Sequence, residues 1–159
     1  MIAYIGIGSN LKAPVEQVRQ AIEALSTLTQ TQLLKASPLY QNPPMGPAGQ
    51  PDYVNAVAGI ETTLKPWALL SALQRLEAQA GRRRDGERWG PRPLDLDILI
   101  YGDWQSQAPE LTVPHPGLPA RAFVLYPLAD IAPDLRVPGH GPLVSLLADV
   151  NASDLILVD

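Results

Sequence analysis

The chain contains no cysteine. That excludes disulfides, Cys-ligated zinc, iron–sulfur clusters and thiol catalysis, and it fits a reducing cytoplasm. It also lacks any apolar run long enough to cross a bilayer. The opening MIAYIGIGSN has no basic start and only a short apolar stretch, so it reads as neither signal peptide nor membrane span. Lysine is scarce, with three residues against nine arginines, and phenylalanine occurs once. The formal charge of -4 gives no general attraction to nucleic acid or anionic membranes.

The 159 residues suffice for one domain with its own core, and 46% hydrophobic against 18% charged residues argue against disorder. Seventeen prolines are many for this length. They cluster in PPMGPAGQP (43–51) and PELTVPHPGLP (109–119), stretches that read as ordered, proline-stiffened loops rather than helix or central strand.

Outside these loops the patterning predicts six elements. Residues 2–7 read as a strand ending at the turn cluster GSN. Residues 14–28 read as a helix, with Pro14 at its first position and Val15, Val18, Ile22 and Leu25 at helical spacing. Residues 32–40 and 53–62 read as strands. Pro66 opens a second helix with Leu69, Leu70, Leu73 and Leu76 inside, and Gly81 stops it. A strand follows at 93–101. The order βαββαβ predicts an α+β ferredoxin-like antiparallel sheet with two helices on one face, followed by short helices at 119–132 and 142–149.

The last strand carries the chemistry. In PLDLDIL, alternation puts Asp95 and Asp97 on one face and Leu94, Leu96 and Ile98 on the other. The carboxylates then lie ~6–7 Å apart. At an effective dielectric of ~20 they repel by roughly 2–3 kcal/mol, and by well under ~1 in water. A strand with one wet face would tolerate them. An enclosed face would need a cation, and hard oxygen ligands of this kind suit Mg²⁺.

The preceding loop, GRRRDGERWGPR (81–92), holds five of the nine arginines: Arg82, Arg83, Arg84, Arg88 and Arg92. A solvated charged loop paired with Asp85 and Glu87 is one reading. The other is a phosphate site, since arginine forks beside a metal are what phosphoryl transfer requires. Trp89 favours a loop that docks on something, and Gly81, Gly86 and Gly90 would let it move as a lid. No P-loop is present, and GIGSNL (6–11) lacks the last glycine of a dinucleotide fingerprint.

Further candidates are weaker. Gln74 and Glu77 share a helix face, which on its own reads as ordinary surface polarity. His115, between two prolines, reads as a rigid, exposed histidine able to bond phosphate or ribose. Arg121 is a cation six residues on. Phe123 reads as core or as a stacking ring. Tyr53 and Asn55 share a strand face and suit a flat, hydrogen-bonding heterocycle.

Five stretches together resemble the 6-hydroxymethyl-7,8-dihydropterin pyrophosphokinase family of folate biosynthesis: YIGIGSNL (4–11), PPMGPAGQPDYVNAV (43–57), RWGPRPLDLDIL (88–99), LTVPH (111–115) and RAF (121–123). The resemblance implies transfer of pyrophosphate from ATP to the pterin hydroxymethyl oxygen with release of AMP. It implies two Mg²⁺ ions on Asp95 and Asp97. Arg82, Arg84, Arg92, His115 and Arg121 would line the triphosphate, with Arg82 and Arg92 counted with the aspartates as catalytic. Gln74, Glu77, Trp89, Ile98 and Thr112 would lie near the nucleotide. Tyr53 and Phe123 would stack on the pterin, and Asn55 would bond its edge. Trp89, Asp95, Pro43 and the backbone near Asn42 and Met45 would complete that pocket. A monomer is the family expectation; the acidic charge and the lack of a long apolar run point to no nucleic-acid or membrane partner. Pro116, where the family often has tyrosine, and Glu110, often basic, depart from the pattern. The contrasting reading is a non-catalytic ferredoxin-like module that binds a small ligand or RNA. Few aromatics and an acidic charge make RNA a poor fit.

Overall fold

A computed structural model describes residues 1–10, 13–43, 52–80 and 94–158. The first six elements follow the predicted order: β1 (Ile2–Ser9), α1 (Pro14–Leu25), β2 (Thr31–Ala36) with β3 (Leu39–Asn42), β4 (Tyr53–Thr62), α2 (Pro66–Gln79) and β5 (Asp95–Tyr101). β5 pairs with β1, β1 with β4, and β4 with both β2 and β3, all antiparallel. This is the ferredoxin-like arrangement.

The single strand expected at 32–40 is broken. Pro38 has no N–H to give a ladder. Ser37 spans the break instead: its N–H donates to the Val57 carbonyl at 2.9 Å, and its hydroxyl accepts the Val57 N–H at 2.9 Å.

α1 and α2 cover the first face of the sheet. Ile5, Ile7, Val54, Ile60, Leu96 and Ile98 meet Val18, Leu25, Leu69 and Leu73 there. Burying each such side chain stabilises the fold by about 1.5–3 kcal/mol. These two helices share one face, as the pattern predicted; the short C-terminal helices, whose side the pattern left open, lie on the other. After the hairpin β6 (Ser106–Ala108) and β7 (Leu111–Val113), α3 (Ala122–Ile131) packs on the second face. Beyond it come the short hairpin β8 (Arg136–Val137) and β9 (Gly141–Pro142), and then α4 (Leu143–Leu147). Their Leu125, Leu128, Val137 and Leu143 bury Val57, Leu99 and Ile100. A last strand, β10 (Ile156–Val158), pairs with β3 at the sheet edge. The β6–β7 hairpin and β10 were not legible in the sequence.

Strict alternation along β5 ends at a bulge. Ile98 pairs with Ile5 and Ile100 with Tyr4, so Leu99 has no partner opposite. Leu99 and Ile100 therefore both face the second layer. Leu99 fills the space over Gly6, where a Cβ would come within 3.2 Å of its side chain. Tyr101 returns to the first face, and its hydroxyl donates to the Leu64 carbonyl.

Candidate active site

The predicted acids lie as alternation requires. Leu96 and Ile98 are buried under α2, while Asp97 is exposed and Asp95 half-buried on the opposite side. The register puts Tyr40, Asn55, Gly8 and Asp95 in one row across β3, β4, β1 and β5. Opposed residues share a face, so all four look onto the second side of the sheet. Asn42 and Tyr53 are paired on the same face two residues along. Strand spacing separates the backbones of Asn55 and Asp95 by about 10 Å. Only a glycine stands between them. The result is a trough with an amide and a phenol on one wall, carboxylates on the other, and the backbone of Gly8 as floor.

Gly8 is required by close approach. A Cβ there would sit 2.7 Å from Asn55 Oδ1. Asn55 Nδ2 donates to Asn42 Oδ1, and Asn42 Nδ2 donates to the Pro43 carbonyl at 3.1 Å. The Asn42 side chain is thus bonded on both sides, where the sequence pointed only to its backbone. Both asparagines are buried.

His115 is half-buried, not exposed as its setting between prolines suggested. Its N–H donates to the Leu99 carbonyl at 2.9 Å, so it hangs from the bulge. The Gly117 N–H donates to His115 Nδ1 at 3.0 Å. Nδ1 is therefore an acceptor, and the neutral ring carries its proton on Nε2. Burial pushes its pKa below the usual histidine range; the nearby Asp97 charge opposes this and Arg121 reinforces it. Asp97, His115 and Arg121 accordingly share one electrostatic neighbourhood. Arg121 lies across the turn at Gly117, where a Cβ would meet its guanidinium carbon at 2.6 Å. The same guanidinium is 5.6 Å from the centre of the Phe123 ring, a cation–π distance.

Glu77 is not surface polarity. It is 7% exposed, and its carboxylate accepts the N–H of Leu96, between the two acids, at 2.8 Å. Gln74, one turn earlier, stays exposed. The side chain of Ile98 belongs to the first core, so only its backbone is available to a ligand. The Thr112 hydroxyl donates to the Ala108 carbonyl inside the β6–β7 hairpin. Arg82, Arg84, Trp89, Arg92 and Met45 lie outside the described residues. Three features escaped sequence reasoning: Gly8 as the trough floor, the burial of the polar Ser9 and Asn10 that follow it, and the Asn42 side chain. The signal for the first two was there, since GSN closes an otherwise apolar strand. It read simply as a turn.

Residues 4–133 match the sequence model of the family described as 7,8-dihydro-6-hydroxymethylpterin-pyrophosphokinase. The chain belongs to this pyrophosphokinase family. Its match runs from β1 through α3 and so includes both walls of the trough. Among relatives, the 2-amino-4-hydroxy-6-hydroxymethyldihydropteridine pyrophosphokinase of Pseudomonas aeruginosa is 54% identical over 145 residues, covering 91% of this chain and 89% of its own. That of Haemophilus influenzae is 50% identical, covering 91% and 90%. Among solved structures, Plasmodium falciparum HPPK-DHPS with STZ-DHP superposes with a TM-score of 0.72 at 12% identity, over 92% of this chain and 45% of that one. The chain spans less than half of that solved protein, and the likeness there is one of fold.

Proposed function

We propose that the trough between Asn55 and Asp95 is where two substrates meet. As a member of the pyrophosphokinase family, the chain is an ATP-dependent diphosphokinase of folate biosynthesis. It transfers the pyrophosphoryl group of ATP to the hydroxyl of 6-hydroxymethyl-7,8-dihydropterin and releases AMP. The observation that carries the assignment of the site is the row Asn55–Gly8–Asp95: an edge-reading amide and a carboxylate with open floor between them.

The pterin lies on the Asn55 side. Tyr53 and Phe123 stack on its faces, Asn55 bonds its edge, and Pro43 and Met45 close the pocket. The triphosphate lies toward β5. His115 offers Nε2–H, a donor suited to a phosphate oxygen, and the lowered pKa keeps the ring neutral for that role. Arg121 offers its guanidinium, held by Phe123 and the bare turn at Gly117. Arg82, Arg84 and Arg92 complete the phosphate-binding set, and Gln74, Trp89 and Thr112 flank the nucleotide. Leu96 N–H points outward to Glu77. Ile98, two residues on, turns its N–H the same way, available to a flat base.

Asp95 and Asp97 fit Mg²⁺ by donor chemistry: two carboxylates on one face, with the outer one exposed. Among the described residues there is no group of three or more His, Cys, Asp or Glu that could hold an ion. The pair would therefore supply part of the coordination of two ions, and phosphate and water the rest. Bound there, the cations would neutralise the polyphosphate and draw charge from the leaving AMP. The residues of the trough hold the hydroxyl oxygen in line with the β-phosphorus and exclude competing water. A loose transition state asks little of a general base, and none is assigned.

Residues 1–159 act as one monomeric, cytoplasmic unit in this reading. The net charge of -4 supports the lack of a nucleic-acid partner. Among the described residues no helix is long and apolar enough to cross a membrane. Incubation with ATP, Mg²⁺ and the hydroxymethyl dihydropterin, followed by chromatography, should yield AMP and pterin diphosphate in equal amounts. ATP bound but not consumed would reduce the chain to a ligand-binding module.

A further inference from the structure

We propose that Asn42 is a positioning residue that fixes which edge of a heterocycle the trough accepts, by holding the Asn55 amide in one orientation. This rests on the reading that Asn55 meets the pterin. The Pro43 carbonyl can only accept, so the 3.1 Å contact to it assigns Nδ2 of Asn42 to that side. Oδ1 of Asn42 is then turned to Asn55 and takes one of its Nδ2 hydrogens. Asn55 is left with Oδ1 on the Gly8 side, over the floor of the trough. The amide therefore presents an acceptor there, for a ring N–H or an amino group.

A half-turn of the Asn55 amide would reverse this. Two oxygens would face each other between Asn55 and Asn42, with no hydrogen between them. The trough would gain an N–H₂ in place of an acceptor and would suit the opposite edge of a ring. At two buried positions such a mismatch is costly, because neither oxygen can turn to water. Selectivity for a donor edge is thus set by a side chain that need not touch the ligand. Gly8 contributes by leaving room for Oδ1.

The test is calorimetric titration of the full chain with 6-hydroxymethyl-7,8-dihydropterin in the presence of Mg²⁺ and a non-hydrolysable ATP analogue. The analogue is also titrated alone. Asn42→Ala should weaken pterin binding about tenfold, the scale of one buried hydrogen-bonding arrangement lost, with affinity for the analogue unchanged. Unchanged analogue binding also reports an intact fold. Asn42→Asp retains an acceptor for Asn55 Nδ2 and should recover most of the loss. In the Asn55→Ala background, Asn42→Ala should cost nothing further, since its effect passes through Asn55. Losses that add in the double variant, or that fall equally on pterin and nucleotide, would overturn the proposal. If Asn55→Ala weakens pterin binding and Asn42→Ala does not, the positioning role alone is lost. If Asn55→Ala leaves pterin binding intact, the placement of the pterin is lost with it.

Discussion

The Glu77 carboxylate accepts the backbone N–H of Leu96, so a buried acid on α2 grips the one residue between Asp95 and Asp97. Among the described residues β5 pairs with β1 alone in the main sheet, and its outer edge needs partners from elsewhere. Glu77 meets that need at the point where two like charges are set side by side. Removing it leaves a buried N–H unpaired. Glu77→Ala should therefore destabilise the fold by about 2 kcal/mol, and Glu77→Gln, which keeps an acceptor, by clearly less. Urea unfolding of the three proteins measures the difference. Equal stabilities would mean that the contact does not hold the strand.

Asp97 is the exposed member of the pair, and its charge acts on His115. Asp97→Ala should lower AMP formation at least about 10²–10³-fold, on the scale of losing a preorganised electrostatic group. Excess Mg²⁺ should not restore it. Near-normal turnover would remove Asp97 from the phosphate end of the trough.

His115 should be found as the Nε2–H tautomer at neutral pH, because Gly117 N–H occupies Nδ1. Nitrogen-15 NMR of the ring distinguishes the two forms directly. The ring should also titrate below 6.5, since burial disfavours its charged form. As the pH falls below 6.5, the unfolded chain takes up this proton before the folded one does. Stability should decline in that range. An Nδ1–H ring, or a pKa above the ordinary value, would contradict the assigned donor.

Tyr40 joins β3 to α3 through its hydroxyl, which donates to Asp130. Burial first, then the Asp130 bond and charge, push its pKa from 10.0 up to about 12. The fold keeps the phenol neutral. That stabilisation is whole below pH 10.0 and fades as the pH climbs toward about 12. Near-ultraviolet titration should show a late tyrosine step, to which Tyr4, also raised by burial, contributes, and Tyr40→Phe should shrink that step. A phenol ionising near its ordinary value would mean that the Asp130 contact does not persist in solution.

How much of this was legible in the sequence differs from residue to residue. Asp95 and Asp97 could be placed because alternation is a property of the strand itself. Pro14 and Pro66 marked helix starts for an equally local reason. Glu77 could not be placed, because its burial depends on the bare edge of β5, a fact of tertiary structure. The run Ile98–Leu99–Ile100–Tyr101 is apolar throughout, so nothing in it betrays the bulge. Ser37–Pro38 did carry a signal, but one proline in a β-rich run looks the same at a strand end as at a break. Asn42 and Asn55 sit thirteen residues apart in sequence, and only the β3–β4 register brings their amides together.

The bulge at Leu99 has a mechanical outcome. The same strand that bears both carboxylates also tethers His115, two residues past Asp97, through the carbonyl of the inserted residue. Acid and imidazole are therefore mounted on one strand, and the extra residue at Leu99 sets the step between them.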